Sequence, residues 1–179
     1  MKLEFAYQFE VRPLPPYSFD LTVNKPRYGY WLTPLEDYSE GVVWSAARLA
    51  DSELVGLKVE SLGNLRKPHL LVTVFLSDNS AKKVSYLKDR IREWLAAEDD
   101  VKDFYALAGD YPALKQTTEE LYGFRDTHFP DVFNALILAF TLHRAPWRRS
   151  LQMLSSIYRN FLPHQLDQWT WQAVRGVRD

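Results

Sequence analysis

Polar and apolar residues alternate over the first ten positions. Leu3, Phe5, Tyr7 and Phe9 lie between Lys2, Glu4, Gln8 and Glu10, with Ala6 the neutral exception. A period of two predicts a strand with one buried face. Pro13, Pro15 and Pro16 end it. The apolar-rich piece at 17–23 carries no pattern that fixes its type. Residues 28–32, 42–49 and 55–61 read as further strands, the last two joined by a hairpin-length turn at 50–53. Gly63-Asn64 and Lys67-Pro68 mark another loop, and 69–76 (HLLVTVFL) is a short strand, apolar throughout.

At Asp78 the period changes. Ala81, Val84, Leu87, Ile91, Trp94 and Leu95 recur at helical spacing, with charged residues between them. Asp78, Asn79 or Ser80 can cap this helix. Asp99 or Asp100 can cap a second, to about Ala108, with Gly109 as its stop. A third spans 111–122, stopped by Gly123. The loop Arg125-Asp126-Thr127-His128 then leads into an apolar helix at 129–142. Pro130 and Asp131 suit its first turn. Its sides are apolar nearly all round, which predicts a helix buried on every face, with Phe133, Leu136, Ile137, Ala139 and Phe140 almost fully covered. After a turn at Ala145-Pro146 a basic amphipathic helix follows at 147–162, with a short last one at 166–174. Strands followed by helices predict an α+β fold. An antiparallel β-sheet with a packed helix occupies 1–100, and a partial all-α helical domain occupies 101–179.

Composition narrows the function. There is no cysteine, so thiolate catalysis, zinc-thiolate sites and disulfides are excluded. No phosphate-binding glycine loop, HExxH or nucleophile elbow occurs. The four histidines, His69, His128, His143 and His164, lack metal-ligand spacing. Adjacent carboxylates such as Asp99-Asp100 and Glu119-Glu120 diverge by about 100° on a helix and cannot share a substrate. The N-terminus carries Lys2, Glu4 and Glu10, which does not fit a signal peptide. The run at 129–142 is too short for a membrane span.

The net charge is -1, yet its distribution is uneven: from Arg144 onward there are six arginines and two aspartates. Arg144, Arg148 and Arg149 flank Pro146 and Trp147 at the break between two helices. Arginine supplies a planar fork for phosphate and tryptophan a stacking face.

The string from Pro130 through Leu151 resembles the helix that opens the helix–hairpin–helix domain of DNA glycosylases of the 3-methyladenine glycosylase II type. That family shows an Asp, two residues, a Glu, and an apolar helix ending in a Gly-Gln turn. Here Asn134 stands at the acidic position. His143-Arg144 stand where the family has Gln and a residue that wedges into the DNA stack. Upstream, Tyr17-Ser18-Phe19-Asp20 resembles the family's aromatic entry, and 38–63, with Gly56-Leu57-Lys58-Val59, is similar to its paired strands. The strand at 70–76, the helix at 78–97, Phe104-Tyr105 and Asp110-Tyr111-Pro112-Ala113-Leu114 resemble the crossing into the helical domain.

The resemblance implies base-excision DNA repair on an alkylated base, with duplex DNA as the partner. In the family a Gly-rich hairpin and a catalytic Asp lie beyond the matched helix, and no Leu-Pro-Gly-Val-Gly-like turn occurs here. The expectation is therefore a truncated, DNA-binding, non-catalytic part of such a hydrolase. It has no catalytic residue, no metal and no cofactor. Its candidate DNA site is His143, Arg144, Trp147, Arg148 and Arg149, with weak, non-specific binding. It is expected in the cytoplasm, at the nucleoid when on DNA, and not in a membrane. Two other classes compete. One is a non-enzymatic DNA-binding or protein-interaction module. The other is a ligand module using Tyr28, Tyr30, Trp31 and Trp44 as an apolar cup.

Overall fold

The structure, a computed structural model, describes residues 4–24, 36–48, 54–76, 81–127 and 132–161. The expectations for 28–32, 50–53, 78–80, Pro130, Asp131 and 166–174 lie outside these residues, as do Tyr28, Tyr30 and Trp31.

Five strands form one antiparallel sheet in the order β1-β5-β4-β3-β2. They are β1 (Glu4–Val11), β2 (Glu36–Ser39), β3 (Val42–Arg48), β4 (Leu54–Ser61) and β5 (Leu70–Leu76). The helices are α1 (Phe19–Val23), α2 (Ala81–Trp94), α3 (Lys102–Gly109), α4 (Pro112–Glu120), α5 (Val132–Leu142) and α6 (Trp147–Phe161). The fold is α+β, as the change of period predicts.

β5 sits between β1 and β4 and is covered on both faces. Leu70, Val72, Val74 and Leu76 join the main core, while Thr73 and Phe75 are buried on the other side. Two buried faces account for its unbroken apolar run. On that second face Trp44 is buried and stacks on Phe75, with Lys58 Nζ 5.4 Å from its ring centre.

Alternation misplaces one end of β1. The register shifts between Phe5 and Tyr7. The extra residue, Ala6, packs toward the core, and Phe5 is 61% exposed. A bulge adds one residue to one strand, so every period-2 assignment before it changes face. Phe9, beyond it, is buried as expected, and Val11 is buried too. β2, Glu-Asp-Tyr-Ser, carries one core-packed side chain, Tyr38, too little for a period to show. Its signal is the turn: Glu40 and Gly41 have φ of 53° and 79°, the two left-handed residues of a tight hairpin into β3.

α2 covers the sheet through Leu87, Ile91 and Trp94, all in the core. The stretch before α1 then ties the molecule together. The Tyr17 hydroxyl donates to Leu95 O at 3.0 Å, and Leu14 N donates to Ala97 O at 2.8 Å. Ser18, the cap of α1, donates its N–H to Gly123 O at 2.7 Å. Gly123 has φ +86°, and a Cβ there would meet Leu65 Cδ1 at 2.6 Å and Ser18 N at 2.8 Å, so the loop after α4 closes on this spot only with glycine.

Two expectations fail in the helical half, at the start of α3 and along α5. α3 has Val101 at its cap without a side-chain bond; Asp100 acts one position earlier, where its Oδ1 accepts from Lys102 N at 3.0 Å. The polar loop after Gly123 is partly buried, with Arg125 and Thr127 3% and 5% exposed. α5 is not buried all round. Leu138 and Thr141 are buried and Ile137 is half-covered, but Ala139 is exposed, Leu136 is 51% exposed and Phe140 74%. The side chain of Phe133 lies outside the described ones. The physical reason is the number of neighbours. Among the described elements α6 packs on α5, and one helical partner covers one side of a helix.

Candidate nucleic-acid interface

The turn after α5 and the first turn of α6 carry all five candidate residues, His143 and Arg144 in the first and Trp147, Arg148 and Arg149 in the second. The shape of this corner is set locally. His143 N donates to Phe140 O at 3.3 Å, and Arg144 takes φ +52°, the left-handed conformation that ends many helices. Pro146 precedes α6 and lacks an N–H, which costs nothing at a helix start. Its carbonyl accepts from Arg149 N at 2.9 Å and Ser150 N at 3.0 Å, and so opens α6. Ser150 and Leu154 point inward and are buried; Arg148 and Arg149 stay on the outside.

The exposure of the corner is uneven. His143, Arg144, Arg148 and Arg149 are exposed, and Trp147 is half-buried. Among the described residues, no carboxylate lies within ion-pair distance of Arg144, Arg148 or Arg149. The first turn of α6 holds no acidic residue. The positive end of the α6 dipole therefore lies beside Arg148 and Arg149. Placing cations there costs roughly 0.3–1 kcal/mol each. An anion on that corner relieves the cost, and a helix N-terminus suits phosphate.

The other candidates behave differently. His69 Nε2 lies 3.2 Å from Glu10 Oε2, at an angle that forms no hydrogen bond. Trp44 is packed against Phe75, so it offers no open ring to a ligand cup. Among the described residues, no three His, Asp or Glu side chains converge on one point, and no helix is long and apolar enough to cross a membrane. The sequence reading passed over the surroundings of Arg125. Phe124, Arg125, Asp126 and Thr127 alternate between less and more buried, an extended pattern legible in principle but masked by three polar residues.

The comparisons bear on this corner through the fold. No family model matches the chain. A DNA-3-methyladenine glycosylase of Bacillus subtilis (strain 168) is 31% identical over 93 residues, covering 44% of this chain and 30% of that protein. A 3-methyladenine DNA-glycosylase from Archaeoglobus fulgidus superposes with a TM-score of 0.67 over 86% of this chain and 50% of that one. Both neighbours are 3-methyladenine DNA glycosylases. The second likeness, at 13% identity, establishes the fold alone. The chain thus spans 30% of the curated relative and half of the solved one.

Proposed function

We propose that this chain belongs to base-excision DNA repair and binds duplex DNA through the α5–α6 corner. Arg148 and Arg149 clamp phosphates from the first turn of α6. Arg144 and His143 reach from the turn, and Trp147 offers a partly covered ring beside them. The observation that carries the reading is the uncompensated charge: three exposed arginines at a positive helix end, without a described carboxylate partner. The similarity to two 3-methyladenine DNA glycosylases supports the choice of DNA over other polyanions. In this reading 1–100 and 101–179 are two domains, sheet and helical.

Base release from a nucleotide calls for an acid or base aimed at the glycosidic bond of an extruded base. The corner holds cations and an indole. The 179-residue chain is therefore proposed to bind and not to excise. Three phosphate contacts give non-specific affinity, in the ~10⁻⁴ to 10⁻⁶ M range at physiological salt. The test is an excision assay on an alkylated duplex beside a binding titration. Binding without base release supports the reading, and release of the alkylated base by this chain overturns its second half.

A further inference from the structure

Two apolar faces in the helical half are uncovered. The first belongs to α3 and α4. Phe104 and Leu107, one turn apart on α3, and Tyr111 before α4 are each more than half exposed, and Leu114 is exposed as well. α3 buries Ala108, and α4 buries none of its residues. Helices of eight and nine residues are too short to hold by propensity alone and depend on packing. The second face belongs to α5. Leu136 and Phe140 are four residues apart, on one side of the helix, and both stand in solvent. The principal helix packings are α3 on α4 and α5 on α6, and the two apolar faces do not cover each other within the chain.

These faces lie in regions of opposite charge. Between 98 and 122 there are seven carboxylates and two lysines, and all seven carboxylates are exposed. Lys102 is already paired with Asp100 at 3.3 Å. Between 132 and 161 there are four arginines and no carboxylate.

An acidic apolar face and a basic apolar face on one chain complement each other on two copies. Under a two-fold axis, α5 of one copy lies on α3 and α4 of the second, and the reverse contact forms at the same time. No face is then left to extend the assembly. Opposite potentials steer the approach and fix its orientation, whereas like-on-like pairing sets arginine against arginine. The area is close to sufficient. Six exposed large side chains, at roughly 150–250 Å² for a whole aromatic one, offer on the order of 600 Å² per chain before any polar rim. A stable complex uses about 800 Å² per partner.

We propose that this chain pairs with a second copy of itself in a closed dimer, the α5 face of each copy seated on the α3–α4 face of the other. Leu136 and Phe140 are the anchors, and Phe104, Leu107, Tyr111 and Leu114 form the surface that receives them. The pairing is measured without DNA, so it stands or falls apart from duplex binding.

The measurement is sedimentation equilibrium of the full chain over a concentration series, in low and high salt. The expected mass is twice 20.9 kDa, with a Kd of about 10 μM for a contact somewhat below standard size. That Kd should rise several-fold with salt, because the attraction between the faces is screened. Phe140→Glu sets a carboxylate against the partner's acidic face, and Leu107→Lys sets a cation against its basic face. Both positions are exposed, so the fold should tolerate either change. Each variant alone should weaken pairing at least about tenfold. Mixed in equal amounts, the two should associate with each other, because the mixed dimer keeps one native contact and sets Glu against Lys in the other. Should a variant fail to fold by circular dichroism, the mass and salt dependence of the unchanged chain decide alone. A chain that stays monomeric well above that Kd, leaving the faces to a different protein, overturns the proposal. So do open-ended polymers, pairing that salt tightens, pairing indifferent to both variants, or variants that do not rescue each other.

Discussion

Arg144 holds φ +52° just past the end of α5, a conformation that costs a side-chain-bearing residue roughly 1 kcal/mol. Its side chain is exposed, so packing does not repay that cost. Arg144→Gly should therefore raise the unfolding free energy by up to about 1 kcal/mol while weakening DNA binding. Opposite signs in a denaturant titration and a binding assay mark a residue kept for its charge; losses in both mark a structural one. Two tyrosines make a second prediction at this scale. Burial pushes the Tyr7 hydroxyl from the usual 10.0 up to about 12. Burial, then the bond to Asp20 Oδ1 at 2.6 Å, does the same for Tyr38. A hydroxyl with a raised folded-state pKa stabilises the fold fully below pH 10 and loses that contribution as pH climbs toward 12. Thermal stability should be level to about pH 9 and fall between pH 10 and 12. Tyr7→Phe with Tyr38→Phe should flatten that fall, as calorimetry across the range would show. An unchanged alkaline slope in the double variant would count against both assignments.

α5 and α6 show what an element's sequence can and cannot reveal. The period-3.6 pattern locates α2 and its core residues Leu87, Ile91 and Trp94 correctly, because one face packs on a sheet and the other meets solvent. α5 has no such contrast. Its composition says buried, but burial depends on partners that periodicity cannot count. Leu136 and Phe140 accordingly stand exposed beside buried Leu138. This sets up a test by pairs. Leu138→Ala and Leu154→Ala, at the α5–α6 contact, should each cost about 2–5 kcal/mol. Phe140→Ala should cost less than about 1 kcal/mol, the range for exposed positions. A large loss at Phe140, measured by urea unfolding of the dilute monomer, would show that the helix has a partner on its open side within the chain. In the sheet, the hairpin turn at Glu40-Gly41 was present in the residues, yet β2 itself was not legible, since an edge strand of four residues with one core-facing side chain, Tyr38, leaves no period to read. The bulge at Ala6 was equally silent, because a neutral small residue fits either face.

For the whole molecule, the sheet, its covering helix and the turn to a basic α6 make a fold shared with a 3-methyladenine DNA-glycosylase over 86% of the chain. The arginine corner was legible because it is local: five residues within one turn need no tertiary contact to stand together. The open faces of α3–α4 and α5 were not, because a sequence shows the apolar residues of a helix and not which of them a partner covers. DNA binding is assigned to the corner between α5 and α6. Its direct test is titration of a labelled duplex at several salt concentrations, with the chain, with Arg148→Ala/Arg149→Ala, and with Arg66→Ala/Lys67→Ala, an exposed pair in the β4–β5 loop. Three released counterions predict a log–log slope of about -3. The Arg148/Arg149 variant should flatten it by about two units, and the Arg66/Lys67 variant should leave it unchanged. A slope indifferent to salt, or one that moves equally with either pair, would contradict the assignment of DNA binding to this corner.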